Sequence, residues 1–176
     1  IAWEIALDGS GNVYVAGRSD ATWGSPVRPY TAGNDAFVAQ VNSSGTLTWN
    51  TFLGGKGTDR GYGVAVAESG NVNVAGDSKA SWGSPVRPYT ADDAFAARLN
   101  SSGTLVWNTF LGGTGGDQGA GVAVDGNGNV YVAGHSAASW GSPVRPYTAS
   151  DAFAARLNSS GTLAWNTFLG GSALDI

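Results

Sequence analysis

"DAFAARLNSSGTLVWNTFL", Asp93–Leu111, is the stretch whose reading decides the fold. Two runs rich in apolar, β-branched and aromatic residues flank Asn100-Ser101-Ser102-Gly103. Asn and Gly tolerate the positive φ that a tight reversal needs, so the stretch reads as two antiparallel strands joined by a hairpin. The same stretch returns almost unchanged at Asp151–Leu169, and as "DAFVAQVNSSGTLTWNTFL" at Asp35–Leu53. Trp49, Trp107 and Trp165 stand 58 residues apart, as do Asp35, Asp93 and Asp151. A fixed period of this length is the mark of a repeat architecture.

Upstream of each copy lies a second hairpin. "GVAV" (Gly121–Val124) turns through "DGNGN" into "VYVAG", with "EIAL" in the corresponding place of the first copy. Each unit therefore holds four strands, A to D. Val130, Tyr131, Val132 and Ala133 are apolar on both alternating faces, whereas a strand with one wet face alternates apolar with polar. These sheets are expected to be covered on both sides. Four antiparallel strands per unit, greasy on both faces, describe a propeller blade, and WD40 and kelch blades have comparable periods. The expected fold is all-β: a β-propeller of four-stranded antiparallel blades, three per chain, with blade one at 1–59, blade two at 60–117 and blade three at 118–176.

Composition supports this class and excludes others. Charged residues make up 12%, Gly contributes 28 residues and Trp 7, so the chain has the material for a core and for many turns. A net charge of −4 without a basic block gives no long-range attraction to nucleic acid or anionic membrane. Cys is absent, which removes disulfides and thiolate metal sites. No apolar run reaches membrane-spanning length, and the opening "IAWEIALDGSGNV" has neither a basic n-region nor an h-region. The absence of Met suggests a piece of something longer.

At this point the stretches "GTDRGYGVAVAESGNVNVAG" and "DAFAARLNSSGTLVWNTFLGG" resemble the bacterial β-propeller repeat family called SBBP. The resemblance extends over essentially the whole chain, with Glu4 in place of the strand-A Gly and a long B–C loop as departures. It implies a bacterial, secreted or cell-surface setting and brings no general activity with it.

Phase adds an expectation about closure. "GGSALDI" aligns with "GGKGTDR", which places Ile176 opposite Arg60, and Ile1 aligns with Arg60 as well. Three whole blades cut at one phase are expected, and three do not close a ring when propellers need about four to eight. Each bare flank spans roughly 300 Å², worth up to about 8 kcal/mol if covered. The expected partner is the chain itself, most simply two chains giving six blades, or further blades of a parent chain.

The long B–C loop carries the one chemically suggestive motif. "SWGSPVRPYTA" begins at Ser81 and at Ser139, and "TWGSPVRPYTA" at Thr22. Strand alternation puts all three copies on one face of the propeller. Trp23, Trp82 and Trp140 offer stacking platforms for sugars, Arg28, Arg87 and Arg145 offer donors, and Tyr30, Tyr89 and Tyr147 offer both. These nine residues are the candidate ligand-binding set of a multivalent, lectin-like propeller. The competing expectation is that the aromatics plug gaps between blades while the arginines pair with Asp35, Asp93 or Asp151, leaving a structural or adhesive module.

Other motifs carry less. "GGKGTDRGY" and "GGTGGDQGA" approach the calcium nonapeptide, but Gly stands at its large apolar position, so Asp59, Asp117 and Asp175 are expected to bond loop amides. "DGNGN" lacks the Gly and distal Glu of a calcium hand and reads as a hairpin. "NSS" at Asn42, Asn100 and Asn158 fits a glycosylation sequon and reads first as a turn. His135 is the single histidine, replaced by Arg18 and Asp77 in the other copies. No metal, cofactor or catalytic set is expected.

Overall fold

Alternating apolar faces need cover, and each hairpin pair supplies half of it. The computed structural model describes residues 1–173 and 175. It contains twelve strands: β1 (Ala2–Leu7), β2 (Val13–Ser19), β3 (Asp35–Val41), β4 (Leu47–Leu53), β5 (Asp59–Val66), β6 (Val72–Ser78), β7 (Asp93–Leu99), β8 (Leu105–Leu111), β9 (Asp117–Val124), β10 (Val130–Ser136), β11 (Asp151–Leu157) and β12 (Leu163–Leu169). They form three four-stranded sheets, each in simple sequence order and antiparallel throughout. The all-β blade architecture is therefore as the repeat implied.

The sheets stack face to face, with strand A innermost: β1 touches β5, and β5 touches β9. The core lies between blades. Tyr14, Val38 and Trp49 of the first sheet pack against Val64, Val74, Phe95 and Phe110 of the second. Ala96, Trp107 and Leu111 meet Val132, Phe153 and Phe168 across the next junction. Phe95 and Phe153 are essentially fully buried, each contributing about 1.5–3 kcal/mol of hydrophobic stabilisation.

Both hairpin types have the chemistry read from the sequence. Asn100 Oδ1 accepts from the amides of Ser102 and Thr104 at 3.0 and 2.9 Å, and Gly103 takes a φ of 80°. Asp125 holds Asn127 and Asn129 in the same way at 2.9 and 2.8 Å.

Strand A departs from expectation. The sequence predicts it over "GVAV" alone, but β5 and β9 start at Asp59 and Asp117, running through "DRGY" and "DQGA". A bulge between Gly61 and Gly63 absorbs the extra length. The bulge drives the backbone so close to strand B that a Cβ on Gly76 would lie 1.8 Å from the Arg60 carbonyl oxygen. Only glycine fits there. Asp59 and Asp117, placed by the repeat phase at the ends of blades one and two, thus sit in the sheets that follow. The alignment of Ile176 with Arg60 lies outside the described residues.

The two outermost faces differ from the junctions. Ile5 is 60% exposed, whereas Val64 at the same place in blade two is 6% exposed. Leu7 and Leu169 are likewise exposed.

Candidate functional site

Proline decides the path of the B–C loop. In "SPVRPY" the two prolines have no amide to donate, so only Val and Arg can pair with a neighbouring strand. They do so against the outer edge of strand D. Val27 N–H donates to Asn50 O at 2.8 Å, and Phe52 N–H to Arg28 O at 3.1 Å. Val86 and Val144 repeat the first bond with Asn108 and Asn166, and Arg87 and Arg145 repeat the second with Phe110 and Phe168. The loop is a strap that covers an otherwise open sheet edge and, by its prolines, cannot itself grow into a long strand. An Asn pins its other end: the side-chain amides of Asn50, Asn108 and Asn166 donate to the carbonyls of Trp23, Trp82 and Trp140 at 2.9, 2.8 and 2.8 Å. Nothing in the sequence signalled this pairing beyond the recurrence of "PVRP" upstream of "WNTF" in every copy, 23 residues apart in the first and 22 in the others, counted from the first proline to the tryptophan.

The strap places the candidate ligand-binding residues as follows. Trp82 and Trp140 are each 4% exposed. Trp82 meets Phe95 and Phe110 edge-on at centroid distances of 5.2 and 6.0 Å, and Trp140 meets Phe153 and Phe168 at 5.2 and 6.0 Å. Trp23 has the same neighbours, Phe37 and Phe52, but is only half-buried because no blade precedes it among the described residues. Tyr30, Tyr89 and Tyr147 stand edge-on to Phe52, Phe110 and Phe168. Tyr30 also donates to the carbonyl of Gly33 at 2.8 Å. The expectation of nine side chains presented to a sugar is corrected at Trp82 and Trp140, which have no open face for stacking.

The arginines correct the competing expectation too. Arg28 spends its guanidinium on the carbonyls of Phe52 and Gly54 at 2.8 and 2.9 Å, rather than on Asp35. Arg87 does the same with Phe110 and Gly112 at 2.8 and 2.7 Å, and Arg145 with Phe168 and Gly170. So anchored, Arg28 lies over the Trp82 ring of the next blade at 5.5 Å, and Arg87 over Trp140 at 5.6 Å. Each is a cation–π contact across a junction, with the flat guanidinium doing two jobs that an ammonium could not combine.

Beside the strap, each D–A loop is tied by a carboxyl group, buried at Asp59 and Asp117 and only partly so at Asp175. The amide of Gly55 donates to Asp59 at 3.0 Å, Gly113 to Asp117 at 2.9 Å and Gly171 to Asp175 at 2.7 Å. The loop-amide role expected of these aspartates is met. Burial raises Asp59 from 3.8 to about 6, against the opposing pull of Ser78 and the Gly55 amide. Burial likewise raises Asp93 to about 6, against the amides of Thr90 and Ala91. Ser78 lies between Asp59 and the carbonyl of Ala80, bonded to both. A hydroxyl has one proton, so a protonated Asp59 satisfies the chain in full: Asp59 donates to Ser78, and Ser78 to Ala80. Ser136 repeats the arrangement with Asp117 and Ala138.

Ser136 bonds Asp117, while His135, one residue earlier on the strand, faces the other side of the sheet. Among the described residues, no three His, Asp or Glu side chains gather as a cation would require.

Val106–Ser139, which matches a family model, runs through β8, the D–A loop, β9 and β10 and so crosses the junction between blades two and three. The model it matches is that of the SBBP beta-propeller repeat. No curated protein matches the chain. The SBBP match is thus in phase D–A–B, and the segment it covers holds both Trp107 and the buried Asp117–Ser136 pair.

Proposed function

We propose that the chain is a non-enzymatic β-propeller repeat module with a structural or adhesive scaffold role, working outside the cell or at the cell surface of a bacterium. One observation carries the reading: the groups of the repeated motif that bear chemistry are consumed within the blade or at the next junction. The arginines bond strand-D carbonyls, Trp82 and Trp140 are buried, and the carboxyl groups of Asp59 and Asp117 tie down loops. A motif repeated with such fidelity and so spent supports geometry rather than turnover. The likeness to SBBP repeats supports the extracellular setting.

A glycan array and a panel of chromogenic glycoside and ester substrates, applied to the intact chain, test it. The scaffold reading expects neither saturable sugar binding nor turnover. Saturable binding abolished by Trp23→Ala would replace it with a lectin, and turnover with an enzyme.

A further inference from the structure

The two junctions inside the chain define a repeated lock, and its two halves recur unpaired at the outer faces. On the leading side of a junction stand an Arg and a Trp. Trp49 donates its indole N–H to Ser101 O at 3.1 Å, and Trp107 to Ser159 O at 3.1 Å. Their rings lie so near Gly103 and Gly161 that a Cβ on either glycine would approach within 2.6 or 2.7 Å. Arg98 adds a second layer at the later junction, donating to Ser159 O at 2.8 Å and to Gly128 O at 2.7 Å while lying 5.3 Å from the Trp107 ring centroid. Above them, Arg28 and Arg87 cap the next blade's Trp.

Blade three presents the leading half outward. Arg145 is anchored to Phe168 O at 2.8 Å as its counterparts are, but is exposed and has no ring beneath it among the described residues. Arg156 stands where Arg98 stands; Tyr131 replaces the Asn73 that takes Arg98 Nε within its own blade, and the terminal nitrogens that Arg98 sends across the junction make no hydrogen bond on Arg156 among the described residues. Trp165 lines an apolar recess of about 270 Å³ with Tyr131, Ala133 and Ala154. The equivalent residues of blade one, Tyr14, Ala16, Val38 and Trp49, receive Val64 and Phe95.

Blade one presents the following half. Trp23 awaits a cation, Gly45 has nothing within 4 Å of its Cβ position, and Ile5 is 60% exposed where Val64 is 6% exposed. Ser43 and Gly11 hold the positions of Ser159 and Gly128, the carbonyls that Arg98 uses.

We infer that blade three of one copy docks on blade one of a second copy in the register of the internal junctions. Arg145 then covers the partner's Trp23, Trp165 packs on the partner's Gly45, and Arg156 bonds the carbonyls of the partner's Ser43 and Gly11. The inference deepens the scaffold reading by naming its partner. Two copies give six blades, within the range of closed propellers, and make two such junctions about one two-fold axis. Together they bury roughly 1,200 Å², the low end of stable interfaces.

Native mass spectrometry of the intact chain at micromolar concentration, with two flank variants, tests it. The wild type is expected at twice 17.8 kDa. Ile5→Asp injures only the blade-one face, and Trp165→Ala only the blade-three face. Each is expected to weaken dimerisation about 100-fold or more, with an unchanged β-type circular dichroism spectrum. Mixing the two variants restores one intact junction and gives a heterodimer. A monomeric wild type, an open polymer, or a dimer sensitive to only one variant overturns the head-to-tail register. Each of these leaves the scaffold reading standing, because that reading falls only to sugar binding or turnover.

Discussion

The guanidinium of Arg28 lies 5.5 Å from the ring centroid of Trp82, one blade away, while its nitrogens bond two carbonyls at the end of its own strand D. Arg87 and Trp140 repeat the relationship at 5.6 Å. The strap motif recurs because each junction needs one copy of the Arg and one copy of the Trp, supplied by successive blades.

The first prediction concerns that arginine. Arg87→Ala removes two charge-assisted hydrogen bonds and a cation–π contact, for a loss of about 2–4 kcal/mol. Arg87→Lys keeps the charge but cannot span Phe110 O and Gly112 O together, so it should recover less than half of the loss. Urea denaturation of both variants checks this.

Position in the stack should decide the cost of removing each tryptophan. Trp82→Ala and Trp140→Ala empty sites that are 4% exposed and should cost about 3–5 kcal/mol each. In the isolated monomer Trp23→Ala should cost much less, about 1–2 kcal/mol, because its ring is already partly exposed. Equal losses at all three positions would show that junction packing is not what the ring supplies.

The glycines make a sharper contrast. A Cβ at Gly76 meets the Arg60 carbonyl oxygen at 1.8 Å, and at Gly121 it meets nothing within 4 Å. Gly76→Ala should abolish or severely weaken folding, while Gly121→Ala should change stability by no more than about 0.5 kcal/mol. Thermal melts of the pair suffice.

Much of this was legible in the residues, and the part that was not has a physical reason. Asn-Ser-Ser-Gly and Asp-Gly-Asn-Gly-Asn announce hairpins because turn chemistry is local. Apolar runs on both faces announced stacked sheets for the same reason. The extra half of strand A was hidden: "DRGY" and "DQGA" have no strand pattern, and only pairing with β6 and β10 across a bulge makes them strands. The strap was hidden too, since Val86 and Asn108 find each other over a long stretch of chain. Charge alone offers Asp35 as a partner for Arg28. In the folded chain, the carbonyls of Phe52 and Gly54 at the end of strand D take the guanidinium instead.

Acid should strengthen the fold within a defined window. Asp59 and Asp93 titrate near 6 in the folded chain because burial disfavours their charge, against 3.8 when unfolded. The folded state therefore binds these protons more tightly. Their stabilising contribution is complete below about pH 4 and is lost as pH rises through about 6. Denaturant melts should show stability falling between about pH 4 and pH 7. Asp59→Asn keeps an acceptor for Gly55 and a donor for Ser78, so it should flatten the slope and raise stability near pH 7.5 by about 2 kcal/mol. An unchanged slope would mean that Asp59 stays charged.

The central claim is that the repeated Arg and Trp hold blade to blade, and a double-mutant cycle on Arg87 and Trp140 tests it most directly. Arg87→Ala, Trp140→Leu and the double variant are compared by equilibrium denaturation of the intact chain. A coupling of about 1 kcal/mol or more between residues 53 positions apart is the expected result. Losses that simply add would contradict it and leave the motif free for some other use.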